Sequence, residues 1–456
     1  MNQLTFMSLL IGSLTVGTLF PSEVIAGTYW VSPTGTASWA GARSETPLTG
    51  TACTSLAVAN ANATAGDTVY LRGGVYNTSI QPSRSGSDVS NRISFMAAPG
   101  ETPVITNVGI AVYIMGKSYI RLEGISVQAP VQRLLLMNRG ASYNEIANCS
   151  FSGVGSVDTP KIWDGDITGG TPCVHNWIHG STFANTGIVT PACDDAGGFQ
   201  LGVPAYDDHS NYNTIENNVF YCGGHHNLEV YTRYNVIRNN VFHHEGCMIA
   251  PNPPCPYAPD SKGYYGNRNV QLYDGNASEG MFNLFEGNRL GHAGRPPDDD
   301  GADNIALTSP KNIVRYNDSF NAASNGVYFK VGAGSYGNNN RVYNNTIYHN
   351  GHNESNGYIA RFGMTFGASA TVYTQGNVIK NNIVYDNYAG DFAARGGLAS
   401  LGYQTISNNW LNSQGDPAFA NPDISNPAST ILPDLSLKAT SGAIDGGSHL
   451  TQANGP

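Results

Sequence analysis

The chain has 456 residues, 40% hydrophobic and only 12% charged, with a formal net charge of −10. That length supports one large core or two ordinary ones. The negative balance disfavours nucleic acid or an anionic membrane as partner, and also a polyanionic substrate unless the site gathers its bases locally.

Residues 1–26 read as a secretory leader. Leu9–Phe20 supply the apolar run and Val24-Ile25-Ala26 the small-residue cleavage pattern, although Met1-Asn2-Gln3 carry no Lys or Arg. No later stretch is apolar and long enough to span a bilayer. The expectation is a secreted or periplasmic monomer with one domain over residues 27–456. Its parts are an N-terminal cap and first coil at 27–90, coils with loop insertions at 91–415, and a closing segment at 416–456.

Thr54–Ala63 has Leu56, Val58 and Ala59 at helical spacing and is predicted to be a short helix covering the first edge. Gly66-Asp67 then turns the chain into a first strand, Thr68–Arg72. From Asn91 short strands follow one another, and the repeat becomes explicit at Tyr212–Phe220 (YNTIENNVF) and Tyr234–Phe242 (YNVIRNNVF), an offset of 22 residues from 212 to 234. A fixed period of that size marks a solenoid whose repeats bury their apolar faces against their neighbours. Two alternating runs around an Asn-Asn make each repeat β-rich. Aligned copies place Cys149, Asn218, Asn240, Asn288, Asn317, Asn345, Asn382 and Asn409 in one column. Asn tolerates the left-handed backbone of a sharp corner, and stacked amides can bond in a ladder about 4.8 Å per coil.

Long insertions at 153–197, 247–267 and 291–301 point to a binding surface on one side. The seven cysteines are Cys53, Cys149, Cys173, Cys193, Cys222, Cys247 and Cys255. Export permits disulfides, with Cys173/Cys193 and Cys247/Cys255 as candidate clips, while the absence of a CxxC pair argues against structural zinc.

GDTVYLRGGVY near the start, the Asn-Asn coils, and DPAF…LSLKATSGAIDGG near the end resemble the secreted right-handed parallel β-helix proteins of the pectate-lyase-like superfold. The resemblance spans roughly residues 27–447. It implies an all-β fold, a single right-handed parallel β-helix, and a carbohydrate substrate, but no particular reaction. The WIDH-type motif of pectate lyases is absent. So are the NTD, GHG and RIK set of polygalacturonases and the calcium-binding glutamates and Lys-Ser of chondroitinase-B-like and alginate lyases. No catalytic residue is carried over.

After each Asn-Asn strand comes a third strand. Alternation predicts Leu228/Val230, Val270/Leu272, Ile305/Leu307 and Val327/Phe329 inside. Three columns then face outward. They are Asn227, Asn269 and Asn304; Glu229, Gln271, Ala306 and Tyr328; and Tyr231, Tyr273, Thr308 and Lys330, with Arg233 and Arg361 nearby. Such a face suits a sugar groove, because amides and carboxylates take hydroxyls and aromatic rings give flat apolar surfaces. A plain solvated face is the alternative.

Two enzymatic readings remain open. β-Elimination on a uronate-containing glycan would use Lys330 or Arg361 against the substrate carboxylate and Tyr231, Tyr273, Lys330 or His225 as base. Hydrolysis would pair Glu229 with a carboxylate of the loop holding Asp298, Asp299, Asp300 and Asp303. That loop could instead bind calcium. A non-enzymatic adhesion β-helix is the third reading, disfavoured by the one-sided loops. The pairs His225-His226 and His243-His244 point to opposite faces as strand neighbours, which disfavours zinc.

Overall fold

The computed structural model describes residues 26–128, 131–153, 159–165, 170–184, 198–203, 208–221, 223, 226–243, 268–273, 280–293, 303–332, 335–352, 361–368, 372–395, 398–424 and 432–448. Among them, three parallel sheets of 13, 12 and 10 strands run along the molecule. Each coil feeds the sheets in turn. Val236–Arg238 joins the first, Val241–His243 the second and Arg268–Leu272 the third, before Leu284–Glu286 returns to the first. This is the parallel β-helix that the repeats predicted, right-handed as the resemblance implied.

The 22-residue offset becomes a zero shift in register. Ile215 pairs with Ile237, and Phe220 with Phe242. The core follows from that register. Phe151, Phe183, Phe220 and Phe242 stack with ring centroids 4.8, 5.1 and 5.0 Å apart in succession. Burial of each such side chain contributes roughly 1.5–3 kcal/mol.

The Asn-Asn pair divides its labour between its two residues. The first takes the left-handed conformation, as in Asn217 (φ 56°), Asn239 (φ 55°) and Asn344 (φ 54°), with Gly287 (φ 64°) and Tyr316 (φ 57°) at equivalent corners. The second forms the ladder. Asn218, Asn240, Asn288, Asn317, Asn345 and Asn382 each donate an amide N–H to the Oδ1 of the next, at 2.9–3.1 Å, and the line ends on Asn409. The two tasks, expected of one column, belong to adjacent residues because one side chain cannot point outward from a left-handed corner and also fill the interior.

The Tyr-Asn that opens each repeat solves the third corner in the same way. Asn144, Asn176, Asn213, Asn235, Asn283 and Asn312 bond in succession. The residues before them are left-handed, and five of those stack in line: Tyr143, His175, Tyr212, Tyr234 and Phe282. Buried amides left without partners would each cost about 1–3 kcal/mol, so the ladders hold the corners as firmly as the core holds the sheets.

At the start, Thr28–Val31 pairs in parallel with Thr68–Leu71, so the first strand lies earlier than the sequence suggested. Helix α1, Leu56–Asn62, is capped by the Ser55 hydroxyl accepting from the Val58 N–H, and it buries Leu56 and Ala59 against the end of the core. Near the other end, an antiparallel hairpin of Phe419–Asn421 and Asp434–Leu437 lies on the outside of the second sheet, where Phe419 and Leu435 pack on Phe320 and Tyr348. Cys53, Cys149 and Cys173 are buried free thiols. Cys173 therefore makes no clip. Its Sγ lies inside the coil, 3.1 Å from the Trp163 carbonyl, where a packed thiol is a small hydrophobe. Cys193, Cys222, Cys247 and Cys255 lie outside the described residues. Among the described residues no helix is long and apolar enough to cross a membrane.

Candidate functional site

The third sheet positions the site. Leu228, Val230, Val270, Leu272, Ile305, Leu307, Val327 and Phe329 all point into the core, as alternation required. The outward column then runs Lys161, Gln200, Glu229, Gln271, Ala306, Tyr328 and Thr365, each opposite the next. Beside it Tyr231 and Tyr273 lie 4.8 Å apart, followed by Thr308 and Lys330, with Arg395 further along. Several outward side chains are nonetheless buried, among them Glu229, Gln271, Tyr231 and Tyr328.

Alternation fails at the start of these strands. Asn227 and Asn269 were expected on the outer face, yet their amides turn into the corner between the second and third sheets. There the Asn227 Nδ2 donates to Asn269 Oδ1 at 2.9 Å, Asn269 Nδ2 to Asn304 Oδ1 at 2.8 Å, and the line continues through Asn350 to Asn387. They form a third ladder and carry no groove. Corner carbonyls such as that of Gly291 need these donors, so the ladder outweighs the strand pleat here.

The residues before Asn227, Asn269 and Asn304 are pushed outward instead. With Asn325 of the next coil they make the column His226, Arg268, Asp303, Asn325, whose members are bonded together across coils. His226 Nδ1 is 2.9 Å from Glu229 Oε1, and its Nε2 is 3.5 Å from Arg268 Nη1. Arg268 donates Nε to Asp303 Oδ2 and Nη1 to Gln271 Oε1, both at 3.3 Å. Asp303 Oδ1 accepts from Asn325 Nδ2 at 2.7 Å, and Asn325 Oδ1 accepts from the Thr365 hydroxyl at 2.6 Å. At the other end Gln200 Nε2 donates to Glu229 Oε2 at 2.5 Å.

The result is a continuous buried polar network from Gln200 to Thr365. His226 and Asp303 are fully buried, and Arg268 is 7% exposed. Taking charges out of water costs several kcal/mol per ion unless each is paired and bonded, as these are. The Gln271 Nε2, also buried, has no hydrogen-bond partner among the described residues. Burial, aided by the Glu229 charge, pushes the Tyr231 phenol far up, so it holds its proton at every physiological pH.

The other expected residues are spread more widely. Lys330 stands at the end of the Tyr231 column, its N–H bonded to the Leu307 carbonyl. Arg233 lies in the corner past the face, its N–H bonded to Asn211 Oδ1. Arg361 sits at the entry to the Met364–Phe366 strand with its guanidinium 4.3 Å from the Tyr388 ring. Arg395 covers the Tyr328 ring at 5.1 Å. Asp303 is bonded to Arg268 through Oδ2 and to Asn325 through Oδ1. His225, Asp299 and Asp300 fall outside the described residues.

No family profile and no curated protein matches the chain. Solved structures do. The pectate lyase Pel9A aligns over 93% of this chain and 92% of its own, at TM-score 0.57 and 14% identity. The GH136 lacto-N-biosidase from Eubacterium ramulus aligns over 83% and 67%, at TM-score 0.51 and 14% identity. A PL6 family alginate lyase, AlyGC, aligns over 79% and 50%, at TM-score 0.51 and 16% identity. The likeness is one of fold. This chain shares their right-handed parallel β-helix fold, as its sequence suggested, and at such identities no side-chain role transfers.

His226 and Arg268 were missed because strict alternation assigned them to the core. The signal was present. HNLE, RNVQ and DNIA place His, Arg and Asp, each followed by Asn, at an inward position in successive coils, and charged groups are almost never fully buried unpaired.

Proposed function

We propose that this chain is a secreted enzyme that cleaves a uronate-containing polysaccharide by β-elimination on the outer face of the third sheet. The supporting observation is the balance of charge there. Lys161, Arg268, Lys330, Arg361 and Arg395 gather along one face of a chain whose formal net charge is −10, against the paired carboxylates Glu229 and Asp303. A cationic face recognises a polyanion.

In this reading the Glu229 carboxylate, with Oε1 2.9 Å from His226 Nδ1, stabilises the imidazolium that forms when Nε2 acts as the base. Nε2 takes the proton from the carbon next to the substrate carboxylate, whose charge is met by Arg268 and Lys330. The freed electron pair forms the carbon–carbon double bond as the glycosidic C–O bond breaks. The leaving oxygen takes the Tyr231 proton, and the His226 imidazolium returns a proton to the tyrosinate, which closes the cycle. Tyr231 thus enters as donor rather than base. Gln271, with its unsatisfied amide, is assigned to a substrate oxygen, and Tyr273 and Tyr328 to the sugar faces.

Hydrolysis is the second reading, as the fold also serves the lacto-N-biosidase. It is the less favoured, because Glu229 and Asp303 stand two coils apart with Arg268 between them, not as two carboxylates facing one bond and a water. The test is to incubate the mature protein with acidic and neutral polysaccharides and record ultraviolet absorbance beside new reducing ends. Absorbing ends support elimination. Ends without absorbance support hydrolysis, and neither on a broad panel removes both enzymatic readings.

A further inference from the structure

The corner after the second sheet carries a column of left-handed residues, His292 (φ 54°), Asn321 (φ 49°), His349 (φ 52°) and Asp386 (φ 53°). Asn, Asp and His tolerate that backbone better than other side chains, which accounts for their presence. They bond in pairs across coils. Asn321 Nδ2 meets His292 Nδ1 at 2.8 Å, and His349 Nδ1 meets Asp386 Oδ2 at 2.7 Å. The second pair has something the first lacks. His352, three residues on, folds back so that its ring lies 3.8 Å from that of His349 at an interplanar angle of 6°. Its Nε2 is 2.8 Å from the Asp386 carbonyl oxygen and 3.8 Å from Asp386 Oδ1.

From this geometry we infer that His349, His352 and Asp386 form a binding site for a divalent transition-metal ion of the zinc class. One ligand atom from each residue falls within 4.8 Å of the others, and among the described residues no other group of His, Cys, Asp and Glu does so. Around an ion with bonds of about 2.0–2.1 Å, such atoms close to roughly 3.3 Å apart. The required movement is small, a tilt of the His352 ring out of its stack. Two imidazoles with one carboxylate suit zinc, nickel or copper, whereas calcium and magnesium take oxygen ligands. The three side chains are partly exposed, at 26%, 29% and 42% for His349, His352 and Asp386, so an ion can enter and keep a water as fourth ligand.

The site clamps successive coils and touches the working face through its surroundings. The His352 ring meets Tyr388 edge-on at 5.6 Å, and Tyr388 carries the Arg361 guanidinium at 4.3 Å. The inference does not rest on the enzymatic reading.

The test uses the mature protein after chelator treatment, titrated with zinc chloride by calorimetry and with cobalt(II) chloride by visible absorption. Wild type is expected to bind zinc with a micromolar or lower dissociation constant, and to give the intense visible bands of a four-coordinate cobalt site. His352→Ala, which leaves the His349–Asp386 bond in place, and Asp386→Asn should each weaken zinc by at least about 10-fold. His292→Ala, in the same column but without a third donor, should bind as wild type does. No zinc binding below about 100 μM in wild type, or affinity unchanged by His352→Ala with circular dichroism intact, would overturn the assignment.

Discussion

Asn240 and Asn239 are neighbours with opposite duties, and substituting each in turn separates them. Asn240 is fully buried. Its Oδ1 accepts from the Asn218 N–H at 3.0 Å and the Asn218 Nδ2 at 3.1 Å, and its Nδ2 donates to the Ile215 carbonyl and to Asn288 Oδ1. Asn240→Ala leaves the buried Asn218 N–H without an acceptor, at about 1–3 kcal/mol, and removes three further bonds whose other ends keep partners, at roughly half a kcal/mol or more each. The expected loss is about 2–5 kcal/mol. Asn239, left-handed and exposed, is different, since Gly takes that backbone freely and Gly287 already does so one coil on. Asn239→Gly should cost less than about 0.5 kcal/mol. Urea unfolding by circular dichroism gives the two losses. Native-state amide exchange then reads the Asn218 amide directly, because a solenoid need not unfold in one step. Equal losses for the two variants, or a loss under about 1 kcal/mol for Asn240→Ala, would refute the division of labour at the corner.

Three further expectations concern buried charge and sulfur. Arg268→Ala strips Asp303 of its cation and should destabilise by about 3–5 kcal/mol in denaturant titrations, a cost that a solvated sheet face would not show. Asp208 is held up at about 6, first by burial and then by Asp164, against the lowering bonds from Ser210. The folded state therefore binds its proton more tightly than the unfolded chain, and this group's contribution falls as pH rises from about 4 to 6, by up to about 3 kcal/mol. Asp208→Asn should remove that slope in melting temperature against pH, and an unchanged slope would contradict the assignment. Burial pushes the Cys149 and Cys173 thiols up to about 12. Peptide mass spectrometry after iodoacetamide treatment should find both unmodified in the native protein and alkylated once it is unfolded.

The architecture was legible because a solenoid writes its register into its sequence. Ile215 and Ile237 sit opposite each other, and the period alone places them there. The corners were half legible. Asn-Asn and Tyr-Asn announced turns, but which residue bends the backbone and which forms the ladder depends on side-chain direction, which spacing does not encode. The site was the least legible part. Period-2 alternation put Glu229, Gln271, Tyr231 and Lys330 on the outer side of the sheet, where they stand, yet it sent Asn227 and Asn269 outward and His226 and Arg268 inward, the reverse of what the third ladder imposes. One cross-coil hydrogen-bond requirement at the corner overrides the pleat for two residues. Cys173 was likewise misread as half of a clip, because spacing cannot tell a core thiol from a loop one.

The central claim is that the His226–Glu229 pair on the third sheet abstracts a proton from an acidic sugar, and His226→Gln tests it most directly. On a uronate polysaccharide that the wild type cleaves, wild type should generate ultraviolet-absorbing unsaturated ends. The variant should fall in kcat by about 10²–10⁴ while circular dichroism shows it still folded. Full activity in His226→Gln, or saturated ends from the wild type, would contradict the account.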